Sequence, residues 1–494
     1  MKRRFSQEFW IGTAVFVAAL LLCAPFGIYV SWIGDEGILL HGAQKILIGE
    51  RLYRDFFEFH PPAGFLLTAV WLKLFGGSVL SFRVFSIVTI ALIALLVYAA
   101  GVLASQRPWL SAFLALGWVE LSQGSLTQVN HHYVTSAFSL AALVAVLKGG
   151  RAAALLAGLA SGGAGMVTQT RGVLAAVASL VSLAWSPRAW ALFVAGCAII
   201  PLACLAYLAA QGTLLAAWDD VIVWTLTQYS AIQGVPFGAG ASLRAAPLVA
   251  AFPVAALLGL IAAVRGPRDQ ALRACAAFAV AGLLGCYPRP DGWHIVFAVP
   301  LALPLIALGL GRLVAGRSWR VQAVAAGAGL LILAPSAVGY LGSVRQITRE
   351  TVEATPAGPA MFAEDDVAAV ATAVRALPAG EGVFYYPYMP LMPLLSRRDA
   401  AASIDILVPG YTSPIQFSET CRQVLTRATW VVYDTQWTDP TFLRTAFPRL
   451  KAEDFIAAGR FEASILRAFA PVRSYGRFRL LKRSQNGFAN TCAQ

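Results

Sequence analysis

The sequence predicts a polytopic α-helical membrane protein with a C-terminal α/β domain on the outer side of the membrane. Three observations lead there. Of 494 residues, 58% are hydrophobic and only 13% are charged. The mean hydropathy is +0.67. The apolar residues also fall in runs long enough to cross a bilayer, whereas a soluble protein has about a quarter of its residues charged. The net charge of +13 does not indicate nucleic acid. Its basic residues stand in ones to threes between apolar runs, with no stripe that could track phosphates.

Lys2-Arg3-Arg4 precedes an apolar stretch from Phe9 to Trp32, near the roughly 20 residues that span. The stretch is too long for the core of a cleaved signal peptide, and no small-x-small site follows it. Leu22 before Cys23 also does not suit a lipoprotein site. The segment reads as a retained anchor with a cytoplasmic N-terminus. Further spans are expected near 83–105, 109–122, 129–147, 152–170, 172–187, 189–210, 243–264, 270–287, 293–314 and 321–342, about eleven in all. Arg107, Lys148 with Arg151, Arg188, Arg265 with Arg268 and Arg273, and Arg312 with Arg317 and Arg320 fall in alternate loops, as the positive-inside rule requires. Residues 1–342 are then the membrane region, with a first outer loop over 33–82, and residues 343–494 lie outside.

This topology puts all five histidines (His41, His60, His131, His132 and His294) on or near the outer face. Asp35, Glu36, Asp55, Glu58, Asp219, Asp220 and Asp291 fall there too. Polar groups gathered at one face of a bundle suit a site at the membrane–water boundary; solvated loops are the plainer reading. The first outer loop is more particular. Asp35-Glu36 opens an amphipathic stretch to Leu47, and Glu58-Phe-His60-Pro61-Pro62 precedes a second one to Leu74, closed by Gly76-Gly77. Such stretches lie in the interface plane, and Pro61-Pro62 fixes the chain before the second.

On these residues the loop resembles the GT-C membrane glycosyltransferases, in particular the protein O-mannosyltransferase and lipid A aminoarabinose transferase type of glycosyltransferase family 39. The features that carry the resemblance are the acidic pair Asp35-Glu36, the element His60-Pro61-Pro62, and Gly76-Gly77 followed by Arg83. It is sharp in this loop; elsewhere it is a match of topology. It implies an inverting transfer of a sugar from a polyprenyl-phosphate donor to an envelope acceptor (lipopolysaccharide, lipid or glycan) at the periplasmic face of a bacterial inner membrane. Such a transfer needs a base for the acceptor's proton and cations for the departing phosphate. By position Asp35 is the base. Glu36 is either an acidic partner or a helix-start residue. His60, Glu58 and Arg83 would support the loop.

Arg171, between two apolar runs, must pair or snorkel, and the resemblance favours phosphate. The segment Arg289-Pro-Asp291-Gly-Trp-His294 is dense polarity for a short turn. It reads either as an Arg289–Asp291 ion pair or as Arg289 and His294 gripping phosphate with Asp291 orienting one of them. His131 and His132 point different ways on a regular helix. One of them could still join Asp35 or Glu36 around a divalent metal, although no metal-ligand spacing stands out.

From 343 onward the chain is richer in charge and has no spanning run. A helix is expected from Glu364-Asp365-Asp366 to Leu377, and strands over 382–386 and 429–433. Helices near 417–427 and 440–456 and a closing strand over 475–481 complete a small α/β domain. Cys23, Cys197, Cys204, Cys275 and Cys286 sit in spans; Cys421 and Cys492 lie where a disulfide can persist. No nucleotide-binding fingerprint is present. Two other functional classes stay open. A flippase of lipid-linked sugars predicts midplane charges, and a non-catalytic scaffold needs no chemistry at its polar face.

Overall fold

The computed structural model describes residues 2–122, 128–183, 186–241, 245–484 and 492. The first two residues of the span expected from 243, and 184–185 of the one ending at 187, lie outside these. In chain order the membrane region starts with α1 (Lys2–Cys23), β1 (Tyr29–Val30), α2 (Asp35–Leu47), α3 (Pro62–Phe75) and α4 (Val79–Ser105). It continues through α5 (Pro108–Ser122), α6 (His131–Lys148), α7 (Arg151–Gly165), α8 (Gln169–Ser182) and α9 (Pro187–Gln211). The short α10 (Leu214–Trp218) and α11 (Ser230–Ile232) flank a π-helical run, Asp219–Tyr229. The region ends with α12 (Ala246–Arg265), α13 (Gln270–Leu284), α14 (Gly292–Ala298), α15 (Leu303–Val314) and α16 (Trp319–Ile347).

Every expected span has its helix, but their lengths differ. Among the described residues five helices are long and apolar enough to cross a membrane, and α14 with α15 makes a sixth if the pair, bent by 57°, is one span. At 1.5 Å per residue a 15-residue helix such as α7 falls short of a roughly 30 Å hydrocarbon core. Small residues let α7 and α9 pack backbone to backbone: a Cβ at Gly158, Gly162 or Gly196 would collide with the facing helix's main chain. The outer surface stays apolar, as Leu202, Leu257 and Leu331 show.

The two stretches of the first outer loop form α2 and α3 with the predicted limits, and α3 stops at Gly76, whose φ is 77°. Both are packed rather than floating. Leu39, Leu40, Phe56, Phe65 and Phe82 share one core with residues of the C-terminal part.

That part holds β2 (Glu353–Thr355), β3 (Gly358–Phe362), α17 (Val367–Arg375), β4 (Gly382–Tyr386), α18 (Met392–Ser396) and α19 (Pro414–Arg427). It ends with β5 (Ala428–Asp434), α20 (Pro440–Ala446), α21 (Phe455–Ala468), β6 (Phe469–Tyr475) and β7 (Phe478–Arg483). The main sheet runs β4-β5-β7-β6, with β4 and β5 parallel and the rest antiparallel. Alternation along β4 and β5 sends Phe384, Tyr386 and Val431 to a core with Phe417 and Phe461, and Val383, Tyr385 and Val432 to the opposite face with Val370 and Val374.

Four expectations change here. The closing strand is a hairpin, because the chain turns at Gly476 (φ 50°). The helix expected over 440–456 stops at Ala446, since Pro448 cannot continue it, and a second helix starts at Phe455. The helix expected from Glu364 begins only at Val367, with Asp366 left-handed (φ 64°). A small sheet, β1-β3-β2, had gone unread; in it β1 pairs in parallel with β3. Cys421 and Cys492 form a disulfide.

Candidate active site

A chamber of about 620 Å³ lies where the first outer loop, the starts of α6 and α14, and the C-terminal part meet. Asp35, in the first turn of α2, faces it. The Tyr388 hydroxyl donates to Asp35 Oδ1. Burial pushes the Asp35 carboxyl above its usual range, against the pull of Tyr388, His294 and Arg289.

Glu36, one residue on, faces the other way. It has no exposed surface, accepts from Arg83 Nη2 at 2.5 Å and takes the Val129 N–H at 2.9 Å. Glu36 therefore belongs to the join between α2 and α4 rather than to the chamber. Arg83 reaches this loop from α4 through that pair. Glu58 lies 3.9 Å from His60 Nδ1, and the Tyr53 hydroxyl donates to the His60 carbonyl at 2.6 Å.

The opposite side is set by helix capping. Asp291 caps α14: its Oδ1 accepts from the His294 N–H at 2.9 Å and from His294 Nδ1 at 2.7 Å. Its Oδ2 takes Arg289 Nε at 2.8 Å. Burial alone would raise the Asp291 carboxyl, but the bonds from His294 outweigh it and hold the group below its usual range. Arg289 also donates to Gln233 Oε1 at 3.0 Å and to the Ala446 carbonyl at 2.9 Å. The ion pair expected as the plain reading thus exists, and it lines the chamber.

His131 and His132 do not diverge. Asn130 caps α6 by accepting from the His132 N–H at 2.8 Å, and the two rings sit 3.9 Å apart, both on the chamber. Arg171 does not line the chamber. It is buried between α8 and α13, where Nε donates to the Gly285 carbonyl at 3.0 Å and Nη2 has no partner. His41 is also elsewhere, bonded through Nδ1 to Asp405 Oδ2 at 2.7 Å.

A divalent ion does not fit these residues. Among the described residues no three of His, Cys, Asp or Glu converge on one point. Of the four candidate ligands, Glu36 is closed off by Arg83, and Asp35 Oδ1 accepts from Tyr388.

Sequence reasoning missed the contribution of the C-terminal part. Tyr388, Tyr411, Glu364 and Arg477 all line the chamber, and Arg477 bonds Glu364 at 2.9 Å across the turn between β6 and β7. The acids Glu364-Asp365-Asp366, read as a helix start, were the available signal.

The sequence matches no protein-family model and no curated protein. Solved structures do match. Lipid A aminoarabinose transferase ArnT from Cupriavidus metallidurans, bound to undecaprenyl phosphate, superposes with a TM-score of 0.59 at 16% identity over 98% of both chains. The chain has the GT-C glycosyltransferase fold. The Archaeoglobus fulgidus oligosaccharyltransferase, solved with Zn and sulfate, gives a TM-score of 0.53 at 12% identity over 95% of this chain and 73% of that one. Mycobacterial arabinofuranosyltransferase AftD gives 0.53 at 16% identity, over 97% of this chain and 40% of its own.

Proposed function

We propose that this GT-C chain is an inverting glycosyltransferase that moves a sugar from a polyprenyl-phosphate donor to a cell-envelope acceptor. The observation that carries the reading is the chamber, in which the buried base Asp35 faces Arg289 and His294 across one cavity. Asp35 takes the proton of the acceptor hydroxyl or amine as its lone pair forms the bond to the anomeric carbon. The bond from that carbon to the phosphate oxygen breaks, and its electron pair leaves with the phosphate. In this reading Arg289 and His294, both bonded to Asp291, receive that charge. Arg171 adds positive potential from beneath. Burial strengthens every such interaction.

In this reading residues 1–342 lie in a bacterial inner membrane with about eleven spans, and residues 343–494 are periplasmic. The Cys421–Cys492 disulfide supports an oxidising side for that part. ArnT bound to undecaprenyl phosphate supports a lipid-linked donor. The test is transfer by purified protein from a polyprenyl-phosphate sugar to an envelope glycan extract, wild type beside Asp35→Asn. Transfer undiminished by the substitution removes Asp35 as base. No transfer from any such donor removes the enzyme reading.

A further inference from the structure

The membrane-side floor of the chamber carries a row of imidazoles that the reading above leaves largely without a task. His60, His131, His132 and His294 come from three separate segments, with successive ring centroids 4.0, 3.9 and 4.9 Å apart, and all four line the cavity. Nδ1 of His60 and Nδ1 of His132 are buried with no hydrogen-bond partner, in side chains 6% and 9% exposed. Polar atoms left so in a cavity call for a ligand. Both chamber arginines are already neutralised, Arg289 by Asp291 and Arg477 by Glu364.

We propose that this row is the seat of the donor's phosphodiester, and that one imidazole takes up a proton as the phosphate settles. The inference rests on the reading above and assigns its phosphate site. A phosphodiester carries one fixed negative charge, which burial penalises unless a positive partner is supplied. Imidazole is the side chain that can supply one near neutral pH. The groups acting on the row are Arg171 from α8, Asp291 and Arg289 from the turn before α14, Asp35 from α2 and Glu58 beside His60. A phosphate seated against the row supplies the negative charge that favours a proton on an imidazole, so binding and proton uptake are coupled.

The test uses the full chain in detergent and farnesyl methyl phosphate, a diester with no proton to exchange near neutral pH. Titration calorimetry in buffers of different ionisation enthalpy reads proton uptake directly. The expected result is uptake approaching one proton, with Kd rising roughly tenfold per pH unit above about pH 7. His132→Gln and His60→Gln are expected to weaken binding about tenfold and to reduce the uptake. Should the variants fold poorly, the wild-type pH series decides alone. Wild type that transfers sugar but binds the diester with no proton uptake and a flat Kd overturns this inference and spares the enzyme reading. Wild type that neither transfers nor binds overturns both.

Discussion

The two walls of the chamber are held by different means. On the membrane side, α2 and α4 are tied by one deeply buried ion pair, Arg83–Glu36, while Asn130 and Asp291 cap α6 and α14. On the other side, the C-terminal part reaches across in many small ties. The Leu391 N–H donates to the Ile33 carbonyl at 3.1 Å, Asp405 receives His41 and Lys45, and Tyr388 reaches Asp35. Gly37 lets the Pro390–Leu391 backbone come in where any Cβ would collide. The comparison teaches that adjacent carboxylates on one helix acquire opposite roles from what each wall offers them. Glu36 meets a guanidinium and becomes structural; Asp35 meets a hydroxyl and a cavity and stays available.

Substitutions can break this contrast. Asp35→Asn removes the base and is expected to lower kcat by about 10³-fold, read in the transfer assay with unfolding temperature unchanged. Arg83→Met leaves Glu36 buried without its partner and should cost about 3–5 kcal/mol of stability, measured by thermal unfolding in detergent. If Arg83→Met instead lowers kcat at unchanged stability, the contrast between the two carboxylates is wrong. Tyr388→Phe should lower kcat about tenfold while leaving diester binding unchanged. It also carries a sign. Tyr388 holds the Asp35 carboxyl down against burial. Without it the pKa rises, and the acidic limb of kcat, where Asp35 becomes protonated and inactive, moves to higher pH.

Asp405→Asn sharpens the other wall. Burial opposes ionisation of Asp405, but His41 and Lys45 outweigh it and hold the carboxyl well below its usual range. A depressed carboxyl stabilises above its unfolded pKa of about 4, and that stability is lost as pH falls through the folded value. The substitution is expected to cost about 1–3 kcal/mol near neutral pH and less under strong acid, followed by unfolding at several pH values. Lys451→Ala, which removes an exposed pair with Glu453, should change stability by no more than about 0.5 kcal/mol.

Much of the helical membrane region was legible because hydropathy acts along the chain, segment by segment. The loop was legible for a similar reason: Asp35, His60-Pro61-Pro62 and Gly76 mark local starts and stops. What was not legible depends on distant pairing. Nothing near Glu36 announces Arg83, and nothing near Tyr388 announces Asp35, 353 residues away. The divergence expected of His131 and His132 assumed a regular helix interior, whereas they occupy a capped first turn whose neighbours turn the rings together. The hairpin at Gly476 was missed because a single glycine is a weak mark between two apolar strands.

The parallel pairing of β1 with β3 joins Tyr29 to Met361 and Val30 to Phe362. The strand that follows α1 therefore finds its partner more than 300 residues later in the chain. During synthesis α1 must wait, held only by bilayer and neighbouring helices, and Asp35 waits with it. The Asp35 carboxylate meets Tyr388 only once that residue has been made, so a product truncated before it would carry the carboxylate but no chamber around it.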